Sequence, residues 1–193
     1  MEKINKILNR EINLLKDGVK NGKSPYHLFS LTTINKRYPE TRTVVLRDVE
    51  VDPLKIFFNT DYRSPKIKDI QSNPFCSALF YDANRKVQLR LKCESVIHYL
   101  DDIAFSRWQK TALQSRKCYM GPFSPGSKID KWHPNFPLDL KKKNPTKESS
   151  EAGYKNFSSI ELKINELDIL ELHHDGHIRF QCSKEKNLFY VSP

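Results

Sequence analysis

Hydrophobic positions along this chain change period several times, and each change predicts an element. Residues 2–17 place Ile4, Ile7, Leu8, Leu14 and Leu15 at helical spacing, with Gly18 set to close the helix. HLFSLTTI then reads as a short strand and NKRYPE as a turn cluster. TRTVVLRDVEV, rich in β-branched residues, reads as a second strand that Asp52-Pro53 breaks. KIFFNT predicts a third. Ser64-Pro65 opens a short helix, SPKIKDIQSN, that turns Ile67 and Ile70 inward and stops before Pro74. FCSALFYD and KVQLRLKCESVIHY flank the turn ANR as a long hairpin. In its second arm Val87, Leu89, Leu91 and Cys93 point one way and Gln88, Arg90, Lys92 and Glu94 the other. Helical spacing returns over 101–118 through Ile103, Ala104, Trp108 and Ala112.

From 121 to 153 the pattern dissolves into a Pro-rich, basic loop containing Lys141, Lys142 and Lys143. Trp132 and Phe136 are placed to pin its first half, and its second half reads as solvated. Two strands, SSIELKIN and LDILEL, follow. A turn at Asp175-Gly176 then predicts a hairpin into HIRFQC. Six or seven strands and two or three helices, mostly antiparallel, predict a mainly β fold: one domain over 1–193 built as a small barrel with helical additions.

Composition narrows the partners. Thirty-three Lys and Arg against 23 Asp and Glu leave +10, which favours an anionic ligand or surface without choosing one. No apolar run reaches the ~18 residues of a spanning helix, and the N-terminus lacks the apolar stretch of a signal peptide. Four Cys without CxxC spacing read as reduced, structural thiols, which suits a cytoplasmic protein. His173, His174 and His177 surround a hairpin turn, but no second ligand cluster completes a metal site, so no metal is assigned. The basic surface is permissive for nucleic acid, yet no recognition signature accompanies it.

The segment Asp61-Tyr62-Arg63-Ser64-Pro65-Lys66 carries the most chemistry. A helix N-terminus offers free N–H groups and partial positive charge, and Arg63 and Lys66 flank it with full charges, which together suit an anion; a plain capped helix with solvated basic residues is the alternative. Arg42 and Arg47, five apart in a β sequence, fall on opposite faces of a regular strand. Gln88, among outward charges, can both donate to and accept from the edge of a planar ring, or can be a plain surface residue. Arg179 beside Phe180 is either an anion contact or a surface position.

In order, RTVVLR at 42–47, FFNTDYRSPK at 57–66, NPFCSALFYD at 73–82, RKVQLRL at 85–91 and HIRF at 177–180 resemble the pyridoxamine 5′-phosphate oxidase-like flavoproteins, most closely their oxidase-related FMN-binding branch. The resemblance runs from about 28 to 121 and from 157 to the end. It implies an FMN-binding split β-barrel, a homodimer with FMN sites at the subunit interface, and FMN as cofactor. It implies FMN contacts from Arg42, Thr43, Val44, Val45, Leu46 and Arg47, from Asn59, Thr60, Ser64 and Lys66, and from Gln88, Ser124 and Arg179. Pro65 stands where the family usually has Arg, so Arg63 is expected to supply the guanidinium. The departures concern the substrate. Ile169 and Leu170 occupy the position of a ring-stacking Trp, and Asp175 that of a substrate-gripping Arg. The Tyr, Arg and Ser that hold the substrate phosphate have no clear equivalents in SRWQKTALQSRK. The resemblance thus implies an FMN-dependent oxidoreductase with a rebuilt substrate pocket. His177 is the one candidate for catalytic proton transfer. A non-catalytic flavin carrier or redox sensor, or a nucleic-acid-binding barrel, are the alternatives.

Overall fold

A computed structural model describes residues 1–193. Helix α1 (Glu2–Lys20) is followed by strands β1 (Leu28–Asn35), β2 (Tyr38–Val45), β3 (Asp48–Val51) and β4 (Leu54–Asp61). Helix α2 (Pro65–Ser72) leads to β5 (Phe75–Asp82) and β6 (Val87–His98). Helices α3 (Asp102–Lys110), α4 (Leu113–Arg116) and α5 (Lys147–Ser150) come next, and β7 (Phe157–Glu171), β8 (Ile178–Ser183) and β9 (Leu188–Tyr190) complete the chain. The strands form one sheet in the order β2-β1-β5-β6-β7-β4-β3, with β8 beside β7 and β9 beside β8. Its hairpins are antiparallel. The fold is therefore mainly antiparallel β with one long N-terminal helix and short helices elsewhere.

The chain divides into two compact units. Met1–Phe58, Asp69–Val96 and Glu161–Pro193 make the first; Asn59–Lys68 and Ile97–Ile160 make the second. In the first, inward alternation on β5 and β6 buries Ala78, Phe80, Leu89 and Leu91 with Phe29, Phe57 and Phe58. Phe29 stacks on Phe80 at 4.8 Å between centroids. Along α1 the buried positions are Ile4, Ile7, Glu11, Leu15 and Gly18. A glutamate thus sits in the buried stripe, because Arg85 meets it through both terminal nitrogens (2.8 and 2.9 Å), Tyr26 Oη donates at 2.6 Å and Arg10 Nε at 2.7 Å. Burial works to raise the Glu11 pKa, but those bonds overcome it and hold the carboxyl below its ordinary range. Gly18 admits no side chain, since a Cβ would lie 2.7 Å from the Tyr26 carbonyl oxygen. Cys76 and Cys93 face each other as reduced cross-strand neighbours.

The second unit is centred on Trp108, Tyr119 and Phe157, with Tyr154 packed alongside. Arg116 is buried there. It lies over the Trp108 ring at 4.5 Å, donates to Ser150 Oγ at 3.0 Å, and pairs with Glu151 at 2.7 Å.

Several boundaries differ from the sequence reading. TRTVVLRDVEV is not one strand. Leu46 leaves the ladder and buries its side chain while its N–H donates to the His27 carbonyl, and Arg47 N–H donates to the Phe57 carbonyl. That break removes the strand parity expected to oppose Arg42 and Arg47. NKRYPE contributes only Lys36-Arg37 to the turn, with Lys36 at φ 52°, and its remainder pairs in the hairpin. SSIELKIN and LDILEL are one continuous strand, β7. Trp132 pins nothing, being 81% exposed. The second half of the 121–153 loop is not solvated throughout. Arg116 recruits Ser150, and Gly153 is buried where a Cβ would stand 3.1 Å from Met120. No helix is long and apolar enough to cross a membrane.

Candidate functional site

In the second unit the turn after β4 collects the predicted anion-binding residues. Asp61 organises it. Its Oδ1 accepts from the Arg63 N–H (2.8 Å) and from Arg63 Nε (3.0 Å), and its Oδ2 accepts from Nη2 (2.7 Å). Tyr62 N–H donates to the Asn156 carbonyl at 2.7 Å, and the Tyr62 ring stacks on Tyr99 at 3.5 Å. Pro65 then starts α2 with its φ already suited to a helix and no N–H to satisfy. The Lys66 ammonium reaches back over this first turn and donates to Thr60 Oγ1 at 3.0 Å and to Ser64 Oγ at 2.7 Å. Thr60 and Ser64 are buried. One ammonium and two hydroxyls therefore converge beside the start of a helix. That donor set suits a phosphate, since hydroxyls that accept from the lysine can turn their own protons toward an anion.

Asn59 precedes this cluster on β4, and its Oδ1 is buried without a hydrogen-bond partner. An orphaned acceptor costs about 1–3 kcal/mol, and a hydroxyl or N–H of a bound group would satisfy it. The residues here fit a phosphorylated, hydroxyl-rich ligand such as the phosphoribityl arm of FMN.

Arg63 does not play the part expected of it. Its Nε and Nη2 are committed to Asp61, and Nη2 also donates to the Gly121 carbonyl at 3.1 Å. The Asp61 hydrogen bonds raise its pKa and keep it charged. It anchors the turn and the loop 121–127 rather than presenting a free fork. That loop returns to the site: a Cβ on Gly126, at φ +82°, would touch Pro65 at 3.4 Å. Ser124, whose carbonyl accepts from Ser127 N–H, belongs to the same loop.

In the first unit the remaining candidates are distributed over the sheet. Arg42 donates through Nη1 to Thr33 Oγ1 at 2.6 Å and lies 3.7 Å from Asp69. β2 ends the sheet order with β1 as its one neighbour, so part of the Thr43–Val45 backbone faces away from any strand. Leu46 is buried and Arg47 exposed. Gln88 stands opposite Tyr81, and Arg90 opposite Leu79, on the outward face of β6. Asp168, missed by sequence reasoning, is the hub of this face. It accepts from Arg90 Nη2 at 2.8 Å, Arg179 Nη2 at 2.9 Å and Gln181 Nε2 at 2.9 Å. Burial alone would raise its pKa, and these three donors hold it below the ordinary range. A lone carboxylate inside the apolar run LDILEL, which needs basic partners if buried, was the available signal.

His177 lies in the exposed hairpin turn, where its Nδ1 accepts from His173 N–H at 3.2 Å. Asp175 is exposed and paired with His174. Ile169 faces the core, while Leu170 faces outward opposite Arg179.

Comparison with known proteins identifies the kind of domain that carries these residues. Residues 9–99 match the family described as pyridoxamine 5′-phosphate oxidase, FMN-binding domain. A pyridoxine/pyridoxamine 5′-phosphate oxidase of Psychrobacter sp. is 40% identical over 68 residues, which is 34% of this chain and 31% of that protein. The match thus spans under a third of that relative. Among solved structures, a pyridoxamine 5′-phosphate oxidase-related, FMN binding protein from Nostoc punctiforme is 20% identical, covers 96% of both chains and has a TM-score of 0.76. PhzG from Burkholderia lata, solved with tetrahydrophenazine-1-carboxylic acid, is 14% identical with a TM-score of 0.66, over 97% of this chain and 91% of its own. At these identities the two structures share the fold, a split barrel.

Proposed function

From the premise that residues 9–99 are an FMN-binding domain of the pyridoxamine 5′-phosphate oxidase type, we propose that the chain is an FMN-dependent oxidoreductase for a small substrate other than pyridoxamine 5′-phosphate. The convergence of Lys66 with Thr60 and Ser64 is the observation that carries it. In this reading Lys66, Thr60, Ser64 and the loop bearing Ser124 grip the cofactor's phosphate, and Asn59 receives a ribityl hydroxyl. The resemblance implies ring contacts from the edge backbone of β2 and from Gln88. FMN supplies the two-electron chemistry, while the protein supplies orientation and electrostatics. Arg179, held in place by Asp168, is the residue that would supply positive charge to a reduced ring. We also propose that the working form is a homodimer. Phe75, Leu79 and Tyr81 leave apolar side chains exposed on the outward face of β5, with Leu28 exposed on neighbouring β1, as a subunit interface requires.

The substrate assignment follows from Asp175 and Ile169. By the resemblance, a carboxylate stands in the hairpin where a phosphorylated substrate would need a cation, and the aliphatic Ile169 and Leu170, the first facing the core, stand in the ring-stacking position. Anaerobic titration tests the proposal. The purified protein should show a flavin spectrum that bleaches with reduced nicotinamide or a suitable amine donor, and pyridoxamine 5′-phosphate should turn over with kcat/KM below about 10⁴ M⁻¹s⁻¹. A bound flavin that no donor reduces would support the carrier or sensor reading. Efficient oxidation of pyridoxamine 5′-phosphate would overturn the substrate assignment.

A further inference from the structure

The first unit contains a second chemically distinct place, which shares no residue with the FMN candidates. It is a cavity of about 660 Å³ bounded by α1, the β3–β4 hairpin, β7 and the β8–β9 hairpin. Its walls are apolar: Leu8 and Ile12 from α1, Leu54 from β4, Ile164 and Leu167 from β7, and Leu188 from β9. The space is partly open to solvent, so a ligand can enter it from the surface. Its volume lies within the roughly 300–1,000 Å³ of small-molecule sites, which are likewise mostly apolar with a few polar groups.

The polar groups on its lining have one dominant sign. Lys55, Lys163, Lys184 and Lys186 contribute to it, against the single carboxylate of Asp52. Two of these charges are matched within the protein. Lys55 pairs with Glu161 at 3.2 Å and lies 3.7 Å from Glu50, and Lys186 pairs with Asp52 at 3.0 Å. Lys163 and Lys184 are exposed, with Glu185 the nearest acidic neighbour of Lys184 in sequence. An apolar chamber edged by two such ammonium groups matches a ligand with an apolar body and one negative end. A neutral apolar molecule would leave the lysines unused, and a compact dianion would leave the walls facing water.

We propose that this cavity binds an amphipathic carboxylate, its hydrocarbon body against Leu8, Ile12 and Leu167 and its acid group at Lys163 and Lys184. Cys182 also lines the cavity and is half-buried, which makes it a built-in reporter of occupancy. Burial raises its thiol pKa, so it stays uncharged and preserves an apolar wall.

Decanoate is a suitable probe, with decanol and decyltrimethylammonium as isosteric controls, titrated by calorimetry into the full-length protein carrying its flavin. The expected result is saturable binding of one decanoate per chain. Decanol should bind tenfold or more weaker, since a charge-assisted contact is lost, and decyltrimethylammonium should not bind. Saturating decanoate should slow alkylation of Cys182 by N-ethylmaleimide. The double variant Lys163→Glu/Lys184→Glu, confined to exposed positions, should weaken decanoate at least tenfold with the flavin spectrum unchanged. Leu8→Trp should fill the chamber and abolish binding. Absence of saturable binding, equal affinity for decanoate and decanol, or Cys182 alkylation unaffected by decanoate would each overturn the proposal. None of these results bears on whether FMN is bound.

Discussion

At the scale of single residues the anion turn divides its labour in a way that composition does not reveal. The two basic residues of Arg63-Ser64-Pro65-Lys66 look equivalent on paper. Arg63 is tied to Asp61, two positions earlier, because a carboxylate at that spacing closes a turn and meets the guanidinium it carries. Lys66 instead lies over Thr60 and Ser64. The residue types at this site were legible in the sequence; the allocation was not, since it depends on which partner each long side chain reaches. Substitution follows the same division. Lys66→Ala should weaken FMN by roughly one to two powers of ten, the worth of a charge-assisted contact of about 1.5–3 kcal/mol, and leave riboflavin affinity nearly unchanged. Arg63→Ala should act mainly through stability, by releasing Asp61 and the Gly121 carbonyl. Fluorescence titrations with FMN and riboflavin, beside thermal melts, separate the two effects.

At the scale of elements, periodicity found α2, β5, β6 and the Asp175-Gly176 hairpin, because local signals there agree with tertiary demand. It failed where long-range pairing overrides them. Leu46 leaves the strand for backbone partners at His27 and the core, and β7 runs through Asn165 and Glu166 without a break because its neighbours continue beside it. Helix α1 shows the same tension: its buried stripe contains Glu11, which apolar spacing alone skips over. Removing that carboxylate takes from Arg85 and Tyr26 their shared acceptor, with Asp82 remaining as a partner of Arg85 Nε, and losing such a charge-assisted contact costs about 1.5–3 kcal/mol. Because the folded pKa of Glu11 is depressed, its contribution is full above the ordinary glutamate value of about pH 4.3. It is lost as pH falls through the lower folded value. Urea melts should therefore show Glu11→Gln to be much less stable than wild type near neutrality. The gap should narrow below about pH 4; a gap that widens with acid would refute the role given to this helix position.

At the scale of the whole molecule, the mainly antiparallel β class was legible from the alternation of short strands, and the FMN-binding assignment from five ordered motifs rather than any single one. The substrate was not legible. On the proposed reading its recognition rests on turn residues such as Asp175, and exposed turns carry no periodic signal. The outward face of β5 leads to one expectation about assembly. Leu79→Glu/Tyr81→Glu should yield a monomer by light scattering and reduce FMN affinity, whereas a dimer retained by that variant would move the interface elsewhere. The most direct test of the central claim, that this chain grips a flavin by its phosphate, compares FMN with riboflavin on the unmodified protein. FMN should bind at least tenfold more tightly, and the advantage should shrink with added salt or inorganic phosphate as an anion competes for Lys66. Equal affinity for the two flavins at low salt would contradict the account.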